Sequence, residues 1–186
     1  MVSIHLGGSR SLKADHFPLV RDVVLGCLAA GAVIRVGCAR GADAAVIRAA
    51  IKYPSHLSVF AQFTPGGQGS FSGSDVVAVS SAAQSGANVS YLAGGALSLP
   101  LKARLMRRSI AALSGCKAAV FFLAKPFSPG SLAVAAAAAT KNIPVYIFGC
   151  GFSGSPAALR SAPGGWRESF FSGLPCFEWF PGKSFL

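Results

Sequence analysis

The chain has 186 residues, of which 17 are Lys or Arg and six are Asp or Glu; its formal net charge is +11, and 52% of it is hydrophobic against 12% charged. This length suits one domain with its own core, and the apolar content excludes intrinsic disorder, which needs high charge and low hydrophobicity. The six acids (Asp15, Asp22, Asp43, Asp75, Glu168 and Glu178) never lie closer than seven residues apart, which argues against paired-carboxylate catalysis and carboxylate-rich metal cages.

In chain order, residues 2–6 read as a first strand that runs into Gly7, Gly8, Ser9 and Arg10. Residues 15–30 follow helical spacing through Phe17, Val20, Val24 and Leu28, with Gly31 as the stop. A second strand at 33–36 leads into Gly-Cys-Ala-Arg-Gly-Ala-Asp at 37–43, then a helix at 44–52 that Tyr53 and Pro54 end. A third strand at 57–63 enters Thr-Pro-Gly-Gly-Gln-Gly-Ser at 64–70, a flexible loop by composition. A short helix at 76–85 and a fourth strand at 88–92 precede a basic helix at 99–113. The strongly apolar fifth strand at 118–123, an alanine helix at 131–140 and a sixth strand at 145–148 complete the alternation. The tail from Gly149 is rich in Gly, Pro and Ser, then in aromatics: Trp166, Phe170, Phe171, Phe177, Trp179 and Phe180.

Strands alternating with helices predict an α/β chain: one Rossmann-like domain with a mostly parallel sheet of about six strands flanked by helices. Residues 1–150 form that domain, and residues 151–186 are expected to pack over the sheet edge as an aromatic extension. The apolar run at 23–34 is 12 residues long, short of the ~20 a membrane helix needs, and no secretion signal is evident at the N-terminus. Five widely spaced cysteines without a CxxC pair read as buried small hydrophobes in a reducing cytoplasm. No metal site or cofactor is expected.

The positive excess points to a polyanionic or phosphate-bearing partner, with a mere solubility device as the plainer reading. Residues 94–186 carry a net +8 against +3 for residues 1–93. In an open parallel sheet, ligands bind beyond the carboxyl ends of the strands, where three loops fall. Gly8, Ser9 and Arg10 offer close backbone approach, a hydroxyl and a guanidinium fork. Gly37, Arg40 and Gly41 open a helix N-terminus that favours anions; Asp43 there reads equally as a cap or as a functional group. Ser128, Pro129, Gly130 and Ser131 form a second such N-terminus. Arg107 and Arg108 sit mid-helix before the fifth strand and are expected either to line the same crevice or to form a solvated basic face.

These pieces, in this order and with Arg-Arg-Ser-Ile-Ala-Ala-Leu-Ser at 107–114, resemble the DNA-processing protein A (DprA) family. That family belongs to a superfamily with the Lonely Guy phosphoribohydrolases and the nucleotide-sensing SLOG domains. The resemblance covers about residues 2–150. It implies single-stranded DNA binding in a positive pocket, a dimer and delivery to a recombinase. The chain departs from the pattern at Ser109, where the family has Asn, at Val36, where it has Ser, and at Pro129, which interrupts Ser-Gly-Ser. The Lonely Guy loop Pro-Gly-Gly-x-Gly-Thr-x-x-Glu has no counterpart: after Pro129 no Glu occurs before Glu168. Hydrolysis needs a poised carboxylate, so binding without catalysis is expected, with no catalytic residue. The site residues would be Gly8, Ser9, Arg10, Gly37, Arg40, Gly41, Asp43, Arg107, Arg108, Gly130 and Ser131. Phe63, Phe71 and Phe127 lie in or beside loops and offer stacking faces, although core packing is the more ordinary fate of each. The alternatives are a SLOG-type sensor of a small nucleotide and a degenerate phosphoribohydrolase using Asp43 or Asp75.

Overall fold

In the computed structural model, which describes residues 1–182, the expected alternation is present with shifted ends. Strands β1 (Ser3–Gly8), β2 (Val33–Val36), β3 (Leu57–Phe60), β4 (Asn88–Ser90), β5 (Ala118–Leu123) and β6 (Val145–Gly149) all pair in parallel. Helices α1 (Phe17–Ala29), α2 (Ala42–Ala50), α3 (Gly73–Gln84), α4 (Leu101–Leu113) and α5 (Pro129–Ala139) connect them. Prolines mark the starts: Pro18 lies in the first turn of α1, Pro100 directly precedes α4 and Pro129 opens α5, positions where a missing N–H costs nothing.

The sheet has eight strands in the order β4-β3-β2-β1-β5-β6-β8-β7, two more than the sequence suggested. The additions are β7 (Gly164–Phe171) and β8 (Leu174–Pro181), a hairpin whose second strand pairs antiparallel with β6. The aromatic extension therefore continues the sheet instead of lying over its edge. Ser172 and Gly173 make the turn, both with positive φ (50° and 77°), as a two-residue turn matched to strand twist requires.

Alternate residues of the central strands serve two cores. Val120 and Phe122 belong to the core that also holds the buried residues of α1, α2 and α3, whereas Ala119, Phe121 and Leu123 belong to the one that holds those of α5 and Leu113 of α4. Burial on both faces explains why β5 is uninterruptedly apolar. Helix α4 is secured at its C-terminal end by Arg35 of β2. Its Nε and Nη2 donate to the Ala112 and Ala111 carbonyls, each at 3.0 Å, a favourable place for a cation. Among the described residues, no helix is long and apolar enough to cross a membrane.

Candidate functional site

The carboxyl ends of β1, β2 and β5 bring the first three loops into one cluster. The Ser9 N–H donates to the Phe122 carbonyl (2.9 Å), and the Ala42 N–H donates to the Ser9 carbonyl (3.1 Å). The Ala124 N–H donates to Ser9 Oγ at 3.0 Å, and Ser9 Oγ lies 3.2 Å from Ser128 Oγ, which reaches Ser131 Oγ at 3.4 Å. Three hydroxyls thus run from the β1 loop to the N-terminus of α5, each keeping further bonding capacity. Gly41 allows the approach: its φ is 77°, and a Cβ there would collide with the Ser9 and Arg10 carbonyls.

Gly130 is exposed, and Arg107 is exposed beside Gly95 on the connection into α4. The basic helix otherwise points two of its charges inward. Arg104 and Arg108 are one turn apart and both buried, while Lys102 and Arg107 face solvent. Arg108 Nη1 donates to Asp43 Oδ2 at 2.8 Å, with both side chains 7% exposed. The guanidinium crosses the face of Gly37, where any Cβ would meet it. Asp43 Oδ2 also accepts the Ala39 N–H at 3.0 Å. Asp43 is therefore the counter-ion of a buried arginine, and the N-terminus of α2 is occupied from within by Ser9 and Asp43.

Around this pair lies a buried polar layer. Burial lowers the His5 pKa to about 4, with the Arg108 and Arg35 charges adding to the shift and Asp43 opposing it. Burial also works against the Arg108 charge, but the Asp43 carboxylate outweighs it and raises the pKa. Cys38 donates to Gln62 Oε1 at 2.6 Å, and burial pushes its thiol up to about 11, which makes it a poor nucleophile. Asp75 is buried at the start of α3, which raises its pKa, while the Ser72 hydroxyl it accepts at 2.8 Å works against that rise. Among the described residues, no three His, Cys, Asp or Glu side chains come together to hold a metal ion.

Arg104 organises the loop after β3. Its Nη1 donates to the carbonyls of Gln62 and Gly69, both at 2.9 Å, and its Nε donates to that of Leu99 at 3.1 Å. Bonds from the Gly67 and Gln68 N–H groups to Thr64 fold the loop internally. Phe71 follows at its end and is 43% exposed. The guanidinium of Arg10 lies 4.8 Å from the ring centroid and that of Arg40 6.0 Å from it. Of the three loop phenylalanines, Phe63 is in the core, while Phe71 and Phe127 are exposed. The aromatic ring with two arginines over it is thus the feature that the Gly/Ser pattern alone did not reveal; its sequence signal is a lone Phe closing a Gly-rich loop.

No family model and no curated protein matches the chain. Two solved structures resemble it. One is DNA processing protein A from Helicobacter pylori, studied for its single-stranded DNA binding mode. The chain shares the fold of DprA. The TM-score is 0.63 at 16% identity, with 78% of this chain and 64% of that one covered. The DprA of Streptococcus pneumoniae gives a TM-score of 0.60 at 20% identity, covering 78% of this chain and 49% of that one. The chain thus spans less than two thirds of the first and about half of the second.

Proposed function

We propose that this protein binds single-stranded DNA at the carboxyl ends of β1, β2 and β5 and does so without catalysis. The observation that carries this reading is the Phe71 ring, part-exposed and with the guanidinium groups of Arg10 and Arg40 within 4.8 and 6.0 Å of its centroid. An exposed aromatic face takes a base, and the cations beside it take the adjoining phosphates. The shared fold with a protein whose single-stranded DNA binding is described supports the same reading. Ser131, the end of the Ser9–Ser128–Ser131 chain and the hydroxyl whose proton is not used within it, supplies a further contact to a phosphate oxygen together with the N-terminal N–H groups of α5. Gly37, Asp43 and Arg108 act beneath the surface, holding the β2 loop in place.

The two acids nearest the cluster support binding over cleavage. Asp43 is committed to Arg108 and Ala39, and Asp75 is buried and bonded to Ser72. Neither is a free base beside a scissile bond.

The test is a titration of labelled oligothymidylate, duplex DNA and a panel of nucleoside monophosphates. Single strands bind, duplex binds more weakly, and no free base is released. Affinity for a mononucleotide with none for a longer strand would replace this reading with a nucleotide sensor.

A further inference from the structure

A second aromatic–arginine pair lies on the other side of the serine cluster. Phe127, next to Ser128, is 55% exposed, and the guanidinium of Arg160 lies 5.9 Å from its ring centroid. Arg160 comes from the segment linking β6 to the hairpin, far along the chain from Phe127. That segment is held against the β5–α5 loop because the Ala157 N–H donates to the Pro126 carbonyl at 3.0 Å. The Ala157 carbonyl accepts Trp166 Nε1 at 3.0 Å, which ties the segment to β7, while Leu159 and Ala162 are buried in the core beneath α5. Arg160 itself is exposed, as is Lys125 on the adjoining loop. Among the described residues, the acids form ion pairs only with Arg21 and Arg108, so no carboxylate there is paired with Arg160.

An exposed phenylalanine alone is unremarkable on a protein surface. Three further facts give this one meaning. A guanidinium stands 5.9 Å from its ring while more than half of the residue stays exposed, an exposed lysine lies two residues before it in the same loop, and it adjoins a hydroxyl that bonds to Ser9, the neighbour of Arg10. We propose that Phe127 and Arg160 form a second platform for a stacked base and its phosphate, so that a single strand runs from Phe71 across the Ser9–Ser128 contact to Phe127. This rests on the single-stranded DNA reading and deepens it: the site takes a run of nucleotides, and the C-terminal segment supplies part of it.

The experiment measures the binding of oligothymidylates from about 2 to 15 nucleotides by the parent, Phe127→Ala, Arg160→Ala and Phe127→Tyr. Both changed side chains are exposed, and matching thermal melts confirm that the variants fold. Phe127→Ala is expected to bind the longer oligomers about fivefold or more weakly, as loss of a stacked base requires, and the shortest ones as tightly as the parent. Arg160→Ala follows the same length dependence with a shallower salt response, and Phe127→Tyr restores parental binding. If the parent binds long oligomers and Phe127→Ala equals it at every length, the second platform is wrong while the first stands. If the parent binds no oligomer of any length, both readings fall.

Discussion

The guanidinium of Arg108 reaches Asp43 only by crossing Gly37, so one missing side chain admits the buried ion pair that holds the β2 loop. Removing one partner from such a pair leaves an uncompensated buried charge and costs about 3–5 kcal/mol. Asp43→Asn, which can still accept the Ala39 N–H, is expected to lose about that much in chemical denaturation. Arg108→Met combined with Asp43→Leu should lose less than the sum of the two single changes. Gly37→Ala should lose stability without altering any charge, because its Cβ would occupy the path of the guanidinium.

His5 predicts a pH dependence whose sign follows from its lowered pKa. The unfolded chain takes up a proton near 6.5, whereas the native state resists until about 4. The unfolded state therefore binds more protons in this window, and stability falls as the pH drops through it. The contribution amounts to roughly 3 kcal/mol by the low end. Asp75, whose pKa is raised by burial, acts with the opposite sign but is common to parent and variant. Denaturant titrations of the parent and His5→Leu between pH 6.5 and 4 should converge in favour of the variant as the pH falls.

Arg10 and Arg40 are expected to act through charge. If each neutralises one phosphate of a single strand, log affinity falls with log salt at a slope near −1.4, about a sevenfold loss between roughly 50 and 200 mM. Arg10→Ala or Arg40→Ala should each make the slope shallower by about 0.7. Phe71→Ala should weaken binding by about 1–3 kcal/mol with the slope unchanged, since it removes stacking and no charge. Fluorescence anisotropy across a salt series separates the two signatures.

Arg104 donates to three backbone carbonyls, and one of them, that of Gly69, lies two residues before Phe71. In Arg104→Met the segment from Thr64 to Ser70 loses its anchor. Limited proteolysis mapped by mass spectrometry should show new cleavage there, accompanied by weaker binding of single strands.

Much of the scaffold was legible because its signals are local. The β/α alternation follows from apolar runs bounded by Gly and Pro, and β2 and β5 lie where residues 33–36 and 118–123 predicted. The glycine loops at 7–10 and 37–43 announce themselves at strand ends for the same reason. The direction of a side chain is not local. Arg108 reads as a crevice-lining phosphate contact or part of a solvated basic face, and Arg104 as one more charge of the same basic helix, until Asp43 and the carbonyls of Gln62 and Gly69 stand opposite them. The hairpin was missed because a stretch rich in Gly, Pro and aromatics looks like irregular cover. Ser172 and Gly173 between two aromatic-rich runs were the available sign of a two-residue turn. Phe71 acquires its setting only through Arg10 and Arg40, which are distant in sequence.

The bond between Ser9 and Ser128 spans 119 residues, and that separation bears on the order of assembly during synthesis. Strand β1 is made first but sits at the centre of the sheet, with one flank against β2 and the other waiting for β5. Until β5 emerges from the ribosome, that flank is an open edge able to recruit foreign strands. The Ser9 turn has neither its Phe122 carbonyl nor its Ala124 amide partner before then. On the proposed reading the site is thus completed late in translation: a nascent chain ending before α5 would carry Arg10 and Arg40 but neither the Ser131 hydroxyl nor Arg160.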